Sequence, residues 1–432
     1  MATQYTNSPY TTGSSVTTAA GSPGTFGTPD NGVGNLNGLF KEVYADKMKD
    51  LIPDGVKLLN LIRFSSKEKS LGNLFHCPII LGMEHGVTFA SSDADAFALQ
   101  PAVAGSIKDA QVRGAPLVLR SVLGYVAASR AQAGKEAFMD ATKFLVSNML
   151  RSISKKLEIE MLYGGMGYGS VAAVAGSLIT ITTSEWAPGI WAGAESMPLE
   201  FANGGVLTGV TATVSKVDLI NRQITVVATG GSVAVGDDIF HKGAFGNEFA
   251  GVHKILTQSS GSLFNIDVGT YNLFKGSEYD AGGAALSFTK LNLAVSRAVE
   301  KGLDTKVTAL VNPRAWANML QDQAGLRMYD QSYSSAELQQ GSKSIKFFSQ
   351  NGEIEIVPSI YVKEGYSYLI AVDDWSRVGS SDITFKRPGK EGDFFRDLEN
   401  SAGYELRCMT DQALFCTAPG RSVLISNIVN AD

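Results

Sequence analysis

The sequence predicts an α+β protein in which a β-rich segment separates two regions of mixed helix and strand. Three patterns support this class. Apolar residues in "FLVSNMLRSISKKLEIEMLYGG" (144–165) recur with the period of an α-helix. Residues 177–288 instead alternate in period two, as in "SLITITT" and "QITVVAT". Helix-like and strand-like patterns then mix from residue 289 to the end of the chain.

The helical pattern continues upstream through "GKEAFMDATK", which predicts one helix from about Lys135, or slightly earlier, to Tyr163. Such a helix has roughly 30 residues and a length on the order of 45 Å. Gly164 suits the end of a helix, and Lys156 and Glu160 could pair one turn apart. Because the average globular helix has only about 11 or 12 residues, we expect this helix to brace an extended structure.

The region before the helix divides into three segments. Residues 1–37 carry one charged side chain, Asp30, and cannot bury enough apolar surface to fold alone. They form either a disordered tail or an arm that a partner orders. Residues 38–66 contain two short helical patterns. The stretch from about 67 to 125 mixes short strands with polar sequence, and an ordered loop of this length suggests an excursion whose partners lie elsewhere.

After the helix, residues 171–288 read as an inserted β-domain, either a small barrel or a sandwich. The segment that follows predicts a helix ended by Gly302, then the strand "KVTALVN". The next helix, "PRAWANMLQDQ", has Asn312 as its N-cap and Pro313 at its first position. Terminal strands complete the chain from residue 381.

The composition argues against several classes of function. A formal charge of -5, from 37 basic and 42 acidic residues, disfavours a dedicated nucleic-acid binder. No apolar run approaches the roughly 18 residues of a membrane helix, and the N-terminus lacks the pattern of a secretory signal. Cys77, Cys408 and Cys416 form no disulfide framework and suit buried thiols in a reducing cytoplasm.

No catalytic or metal-binding pattern emerges. The four histidines lack zincin spacing, and neither Cys-x-x-Cys nor Gly-x-Ser-x-Gly occurs. "GGMGYGS" (164–170) follows a helix and lacks the Lys-Ser/Thr ending of a phosphate loop, so a hinge is the better interpretation. "SDAD" (92–95) lacks the glycine and distant glutamate of a calcium loop, which favours a solvated loop tip. We therefore expect no enzymatic activity, no cofactor and no metal.

The order of these elements resembles the major capsid protein of tailed bacteriophages, whose fold is shared with herpesvirus shells. "ALVNPRAWANML" (309–320) looks like the strand, Asn-Pro and helix of that family's axial domain. "YLIAVDDWSRV" (368–378) is similar to the strand that leads into a short Asp-Trp or Asp-Phe turn. "LRCMTDQALFCTAPGRSVLISNI" (406–428) looks like the closing strands of the peripheral domain.

The resemblance implies a role for each segment of the chain. The β-rich stretch is the departure, because it is absent from the minimal fold. The implied parts are an N-terminal arm (1–37), an N-terminal helical segment (38–66), an extended loop (67–125), the spine helix of the peripheral domain (126–170), an inserted β-domain (171–288), an axial domain (289–380) and closing strands of the peripheral domain (381–432).

The resemblance also implies a function and partners. The chain would self-assemble through hexamers and pentamers into an icosahedral shell that encloses double-stranded DNA without reading its sequence. Portal, scaffolding and decoration proteins would be its partners, and assembly would take place in the cytoplasm of a host bacterium. The alternatives are an encapsulin-like container, a tail tube protein, or a surface carbohydrate-binding protein.

Two sets of charged residues are candidates for assembly contacts. In the extended loop, charge pairs with a neighbour could involve Glu84, Asp93, Asp95, Lys108 and Arg113. On the long helix, a basic run could face a polyanion or a neighbouring subunit's acidic groups, although a solvated face is the simpler interpretation. This run consists of Arg151, Lys155 and Lys156.

Overall fold

The structure is a computed structural model that describes residues 55–65, 74–93, 96–124, 135–326, 345–350, 352–386, 395–398 and 403–430. The predicted arm (1–37) and Asp95 lie outside the described residues. The chain divides into two compact units. One includes Val118–Leu150 and Thr384–Cys408, and the other includes Ile52–Leu117, Arg151–Ile383 and Met409–Asp432.

The helices of the described chain are α1 (Leu58–Leu61), α2 (Lys135–Tyr163), α3 (Pro188–Trp191), α4 (Val252–Thr257), α5 (Phe288–Val299) and α6 (Pro313–Leu326). The long helix α2 spans the predicted residues. The second of the two helical patterns predicted within residues 38–66 forms only the single turn of α1. After α1 the chain extends, and Phe64 makes an isolated bridge with Arg377.

The first strands of the described chain are β1 (Phe75–Ile80), β2 (Ile107–Val112), β3 (Ala115–Gly124), β4 (Gly169–Ala175), β5 (Leu178–Ile181), β6 (Pro198–Asn203), β7 (Val206–Asp218), β8 (Gln223–Thr229), β9 (Asp238–His241), β10 (Ser262–Leu263) and β11 (Ile266–Asp267). The later strands are β12 (Ser277–Ala284), β13 (Val307–Val311), β14 (Ile345–Ser349), β15 (Gly352–Pro358), β16 (Ser367–Ile370), β17 (Trp375–Thr384), β18 (Phe395–Asp397), β19 (Gly403–Cys416) and β20 (Val423–Ile428).

Six of these strands close into a barrel in the order β4-β5-β8-β7-β6-β9. Alternate residues point inwards, and Ile179, Leu199, Phe201 and Ile224 are fully buried. Of the two forms that the sequence left open, the structure therefore contains the barrel. Its core is continuous with the buried residues at the C-terminal end of α2. β12, which also belongs to the β-rich segment predicted at 171–288, lies in a different sheet.

A six-stranded sheet has the order β12-β20-β16-β13-β15-β14. Every residue of β13 is buried, since β15 and β16 flank it and a second apolar cluster covers it. The predicted helix boundaries beside β13 are confirmed. The chain turns after α5 at Gly302, whose φ is 89°, and the Oδ1 atom of Asn312 accepts the Arg314 amide (2.9 Å) at the start of α6.

The closing segment predicted at 381–432 contributes to two sheets. β19 belongs to a four-stranded sheet with the strand order β17-β19-β18. The fourth strand, β3, also pairs with β19. β20 instead pairs with β16 and β12. A 3-10 turn over Pro419–Arg421 redirects the chain between them.

Candidate functional site

Residues 75–93 and 96–112 form a long antiparallel hairpin, here called the extended hairpin. β1 and β2 pair from Phe75 opposite Val112 to Ile80 opposite Ile107. The two arms of the hairpin stay together beyond the strands, because the His85 amide donates to the Val103 carbonyl (3.1 Å). This hairpin lies within the extended loop predicted at 67–125.

Glycines permit the close approach of the two arms of the extended hairpin. A Cβ atom added at Gly105 would lie 2.8 Å from the carbonyl oxygen of Gly82. One added at Gly86 would lie 3.1 Å from the Cα atom of Ala102. Larger residues at these positions would therefore force the two arms of the hairpin apart.

The base of the extended hairpin is attached to the core of its unit. The Phe75 ring packs edge-on against Phe415, with 5.2 Å between ring centroids. The Ser106 hydroxyl and the Tyr271 hydroxyl share a hydrogen bond of 3.0 Å. The described distal residues, 81–93 and 96–106, therefore extend from a base that is attached to the core.

The extended hairpin exposes many large apolar side chains. Phe89 is 92% exposed and Leu99 is 79% exposed. The members with at least half of their surface exposed are Ile80, Met83, Val87, Phe89, Phe97, Leu99, Val103 and Ile107. So many exposed large apolar side chains on one hairpin are typical of a surface that another molecule covers. These residues were not predicted from the sequence, although the isolated apolar residues in the polar stretch "MEHGVTFASSDADAFALQ" were the available signal.

The charged residues predicted for the loop lie on the surface of the extended hairpin or beside it. Glu84, Asp93, Lys108 and Arg113 are all exposed, while Asp95 lies outside the described residues. One side-chain hydrogen bond that the sequence did not predict joins the two strands. His76 Nδ1 lies 2.7 Å from a carboxylate oxygen of Asp109, and this hydrogen bond lowers the pKa of Asp109.

The predicted basic run on α2 has a different environment from the solvated face considered above. The ammonium group of Lys155 donates to the carbonyl of Ala192 (2.5 Å). Lys156 contacts the sulfur of Met197 (3.2 Å) and lies over the Tyr168 ring. Burial lowers the pKa of Lys155 to about 8 and that of Lys156 to about 7. Both lysines therefore make contacts within their own chain. Arg151, the third residue of the run, is half-buried.

Two glutamates, one buried and one half-buried, join the end of α2 to the segment before α4. Glu160 Oε1 accepts the amide of Phe249 (3.2 Å), and Glu248 Oε2 accepts the amide of Gly165 (3.0 Å). Each side therefore supplies one carboxylate and one amide to the other. Burial and the nearby Glu248 raise the pKa of Glu160 to about 8, and burial raises the pKa of Glu248 to about 6.

A third glutamate, which lies on α2, caps α1. The carboxylate of Glu158 accepts the amides of Lys57, Leu58 and Leu59 at 2.9, 2.8 and 2.7 Å. A carboxylate at a helix N-terminus satisfies amides that have no partner within the helix. This contact attaches the first described segment of the chain to α2.

An ion pair between a buried lysine and a half-buried glutamate joins the chain that follows β15 to the turn after β5. Lys363 contacts the carboxylate of Glu185, and the Tyr366 hydroxyl donates to the same carboxylate (2.8 Å). Burial alone would raise the pKa of Glu185, but the charge of Lys363 and these hydrogen bonds hold it below its usual value. Because the acid and the base neutralise each other, the arrangement serves structure and offers no free nucleophile.

Two further observations concern the described part of the chain. No group of three or more His, Cys, Asp or Glu side chains there is placed to hold a metal ion. No helix in the same residues has both the length and the apolar character needed to cross a membrane.

Comparisons with known proteins identify the fold. No protein-family model and no curated protein matches the chain. Among solved structures, the chain is similar to a chain of the Cyanophage A-1(L) capsid asymmetric unit, with a TM-score of 0.53 and 13% identity over 90% of this chain and 98% of that chain. This likeness shows that the chain has the α+β fold of a phage capsid protein.

Other solved structures give weaker likenesses. The capsid of a native GTA particle matches with a TM-score of 0.48 and 7% identity over 90% of this chain and 96% of that chain. An encapsulin complex from Synechococcus elongatus matches with a TM-score of 0.43 and 8% identity over 91% of this chain and 94% of that chain.

Proposed function

We propose that this protein is the major capsid protein of a tailed bacteriophage, a structural subunit that self-assembles into a closed shell around double-stranded DNA. The observation that carries the proposal is the extended hairpin, which presents Phe89 and Leu99 to solvent on an ordered base. The fold shared with a phage capsid chain supports the same function. Exposed apolar surface of this kind is typical of a site that a partner covers, and in a shell the partner is a neighbouring copy.

The energy of this contact favours assembly. Covering one large apolar side chain contributes roughly 1.5–3 kcal/mol, so Phe89 and Leu99 together contribute roughly 3–6 kcal/mol for each copy. The same contact recurs at every subunit of a closed shell. Many modest contacts can therefore hold a large particle together.

The remaining parts of the chain have proposed roles in the same shell. α2 acts as the spine helix, the barrel as the core of an inserted domain, and residues 1–37 as an arm that lies across a neighbour. Exposed charges at Glu84, Asp93, Lys108 and Arg113 would form pairs with neighbouring copies. Hexamers and pentamers, portal, scaffolding and decoration proteins, and assembly in the cytoplasm of a host bacterium belong to this proposal.

The test is electron microscopy of particles from cells that express the chain, alone and with its neighbouring genes. We expect closed icosahedral shells for the wild type. A double variant, Phe89→Asp with Leu99→Asp, should keep the circular dichroism and unfolding temperature of the wild type, since both side chains are exposed. Its particle yield should fall at least tenfold, because an ionised carboxylate resists burial.

A matched control is Ile220→Asp. Ile220 is 82% exposed in the turn between β7 and β8, outside the extended hairpin, and this variant should assemble normally. Normal assembly of the Phe89 and Leu99 variant would contradict the role of the extended hairpin. Particles filled with protein instead of DNA would favour an encapsulin-like container, and open tubes would favour a tail tube protein.

A further inference from the structure

The two strands at the base of the extended hairpin need support from other parts of the chain. β1 and β2 form a two-stranded sheet of their own, and an isolated pair of strands is marginally stable at best in water. Residues 262–271, here called the supporting segment, contain β10 and β11 and lie against β2. Leu263, Ile266 and Val268 of this segment are buried. The supporting segment is therefore itself anchored in the core.

The supporting segment holds β2 at two separated points. Near the base, the amide of Gln111 donates to the carbonyl of Phe264 (2.9 Å). Where the pairing of β1 with β2 ends, the hydroxyl of Tyr271 shares a hydrogen bond with that of Ser106 (3.0 Å). A strand that runs from Ser106 to Gln111 has a length of roughly 16 Å. Contacts at both ends of this length fix the direction of the strand, whereas a single contact would let it pivot.

The turn of the supporting segment contains a residue that is unfavourable for its backbone. Leu263 pairs with Ile266, which leaves Phe264 and Asn265 as a two-residue hairpin loop. Both have a positive φ, 49° for Phe264 and 67° for Asn265. Asparagine and glycine favour such loops, whereas a bulky residue in this conformation is strained. Because strain of this kind persists only where the surrounding structure imposes it, the Phe264 side chain should have a role that asparagine or glycine would not serve.

The Phe264 ring belongs to an aromatic cluster under the base of the extended hairpin. Its centroid lies 5.3 Å from that of Phe415 and 6.5 Å from that of Phe274. Phe415 also packs edge-on against Phe75 of β1, with 5.2 Å between centroids. Phe264 therefore holds β2 through its carbonyl oxygen and shares the Phe415 ring with β1.

We propose that Phe264 and Tyr271 are positioning residues, which set the direction in which the extended hairpin leaves the core so that Phe89 and Leu99 reach a neighbouring copy. The inference rests on the proposed shell function, since it concerns the surface that the neighbouring copy covers. Direction matters because the hairpin is long. A tilt of about 10° at the base would move side chains roughly 20 Å away by roughly 3–4 Å. Such a displacement separates side chains that must pack within about 4 Å of each other.

The test measures two quantities in each variant. Hydrogen–deuterium exchange of the dissociated subunit reports the protection of the extended hairpin, and electron microscopy reports the particle yield. Phe264→Asn removes the ring but keeps the turn, because asparagine tolerates a positive φ, and it keeps the carbonyl that accepts the Gln111 amide. Tyr271→Phe removes only the hydroxyl that bonds to Ser106.

Two control variants separate positioning from general damage. Thr270→Val removes a hydroxyl one residue away from Tyr271, and this hydroxyl bonds to Asp267 of the supporting segment (2.6 Å) instead of the extended hairpin. Phe264→Tyr keeps the aromatic ring and is the conservative replacement. The amides of the barrel strands provide an internal reference for the stability of the whole subunit.

We expect the amides of the extended hairpin to exchange about tenfold faster in Phe264→Asn and several times faster in Tyr271→Phe, with no change in the barrel. Particle yield should fall in both variants. Thr270→Val and Phe264→Tyr should match the wild type in exchange and in yield.

Equally faster exchange in the barrel would show a general loss of stability and would overturn the positioning role. Unchanged exchange in both variants, or faster exchange of the hairpin with a normal particle yield, would also overturn it and leave the shell function intact. If the wild type forms no particles, the shell function fails and the assembly role of Phe264 and Tyr271 fails with it. The exchange measurement would then still show whether the supporting segment holds the hairpin.

Discussion

Glu160→Gln is expected to stabilise the protein at neutral and alkaline pH while changing little at acidic pH. Burial and the Glu248 carboxylate raise the pKa of Glu160 from 4.5 to about 8. The native state therefore keeps a proton on this carboxyl group at pH values where the unfolded chain has released it. The stabilising contribution is fully present below about pH 4.5 and is lost as pH rises through about 8.

The magnitude follows from the same shift. Each pKa unit corresponds to about 1.4 kcal/mol, so a shift of this size is worth up to about 5 kcal/mol. Coupled titration with Glu248 divides part of this free energy between the two groups. A glutamine keeps an oxygen for the Phe249 amide and has no charge to bury. We therefore expect Glu160→Gln to gain on the order of 2–4 kcal/mol at pH 9.

The other charged groups nearby do not cancel this effect. Lys156 has a pKa of about 7 because burial disfavours its charge, so it is mostly neutral at the pH where Glu160 ionises. Glu248, with a pKa of about 6, is by then already negative. The titratable groups that interact with this carboxylate pair also include Tyr168, Glu200 and Lys254. Raising the pH therefore adds negative charge to a site that already has it.

The assay is urea unfolding of the dissociated subunit at pH 5, 7 and 9. The wild type should lose stability between pH 5 and 9 more steeply than Glu160→Gln, and Glu248→Gln should also reduce the slope because it removes the neighbouring charge. Glu84→Gln, at an exposed glutamate of the extended hairpin, is the control and should match the wild type. Parallel pH profiles for the wild type and Glu160→Gln would refute the reasoning.

Three further predictions concern stability and assembly. Asn312→Ala removes the cap that accepts the Arg314 amide and the donor to the Val362 carbonyl, so unfolding free energy should fall by about 1–2 kcal/mol; an unchanged urea midpoint would contradict this. Removing residues 1–37 should leave subunit unfolding unchanged and lower the particle yield measured by sedimentation, whereas a normal yield would remove the arm's proposed role. Charge reversal at Glu84 should lower particle yield and particle thermal stability, and unchanged values would count against charge pairs of the extended hairpin.

Local features of the fold were predictable because their causes lie within a few residues. The apolar period and Gly164 place the end of α2 at Tyr163. Asn312 and Pro313 place the start of α6, and Gly302 marks the turn after α5. Period-two alternation indicated the strands of the barrel. In each case the hydrogen bonds or the buried face belong to one element.

Features that depend on distant residues were not predictable. Lys156 and Glu160 have the spacing of a surface ion pair, yet Lys156 lies over Tyr168 and Glu160 accepts the Phe249 amide. Side chains at this spacing pair on an exposed helix, but here the barrel and the segment before α4 cover that face. The parallel pairing of β12 with β20 joins residues about 150 positions apart, and nothing in either strand specifies the other.

The extended hairpin shows why its apolar residues were missed. In "FHCPII" alternate residues are exposed, and periodicity alone does not tell whether the outward face meets solvent or another molecule. The distal residues 81–106 belong to neither strand and have no period, so the sequence favoured a polar loop. Only the structure shows Phe89 and Leu99 exposed on an ordered base. An isolated subunit that exposes these side chains would be less soluble. The extended hairpin therefore argues for a neighbouring copy more directly than the long helix does.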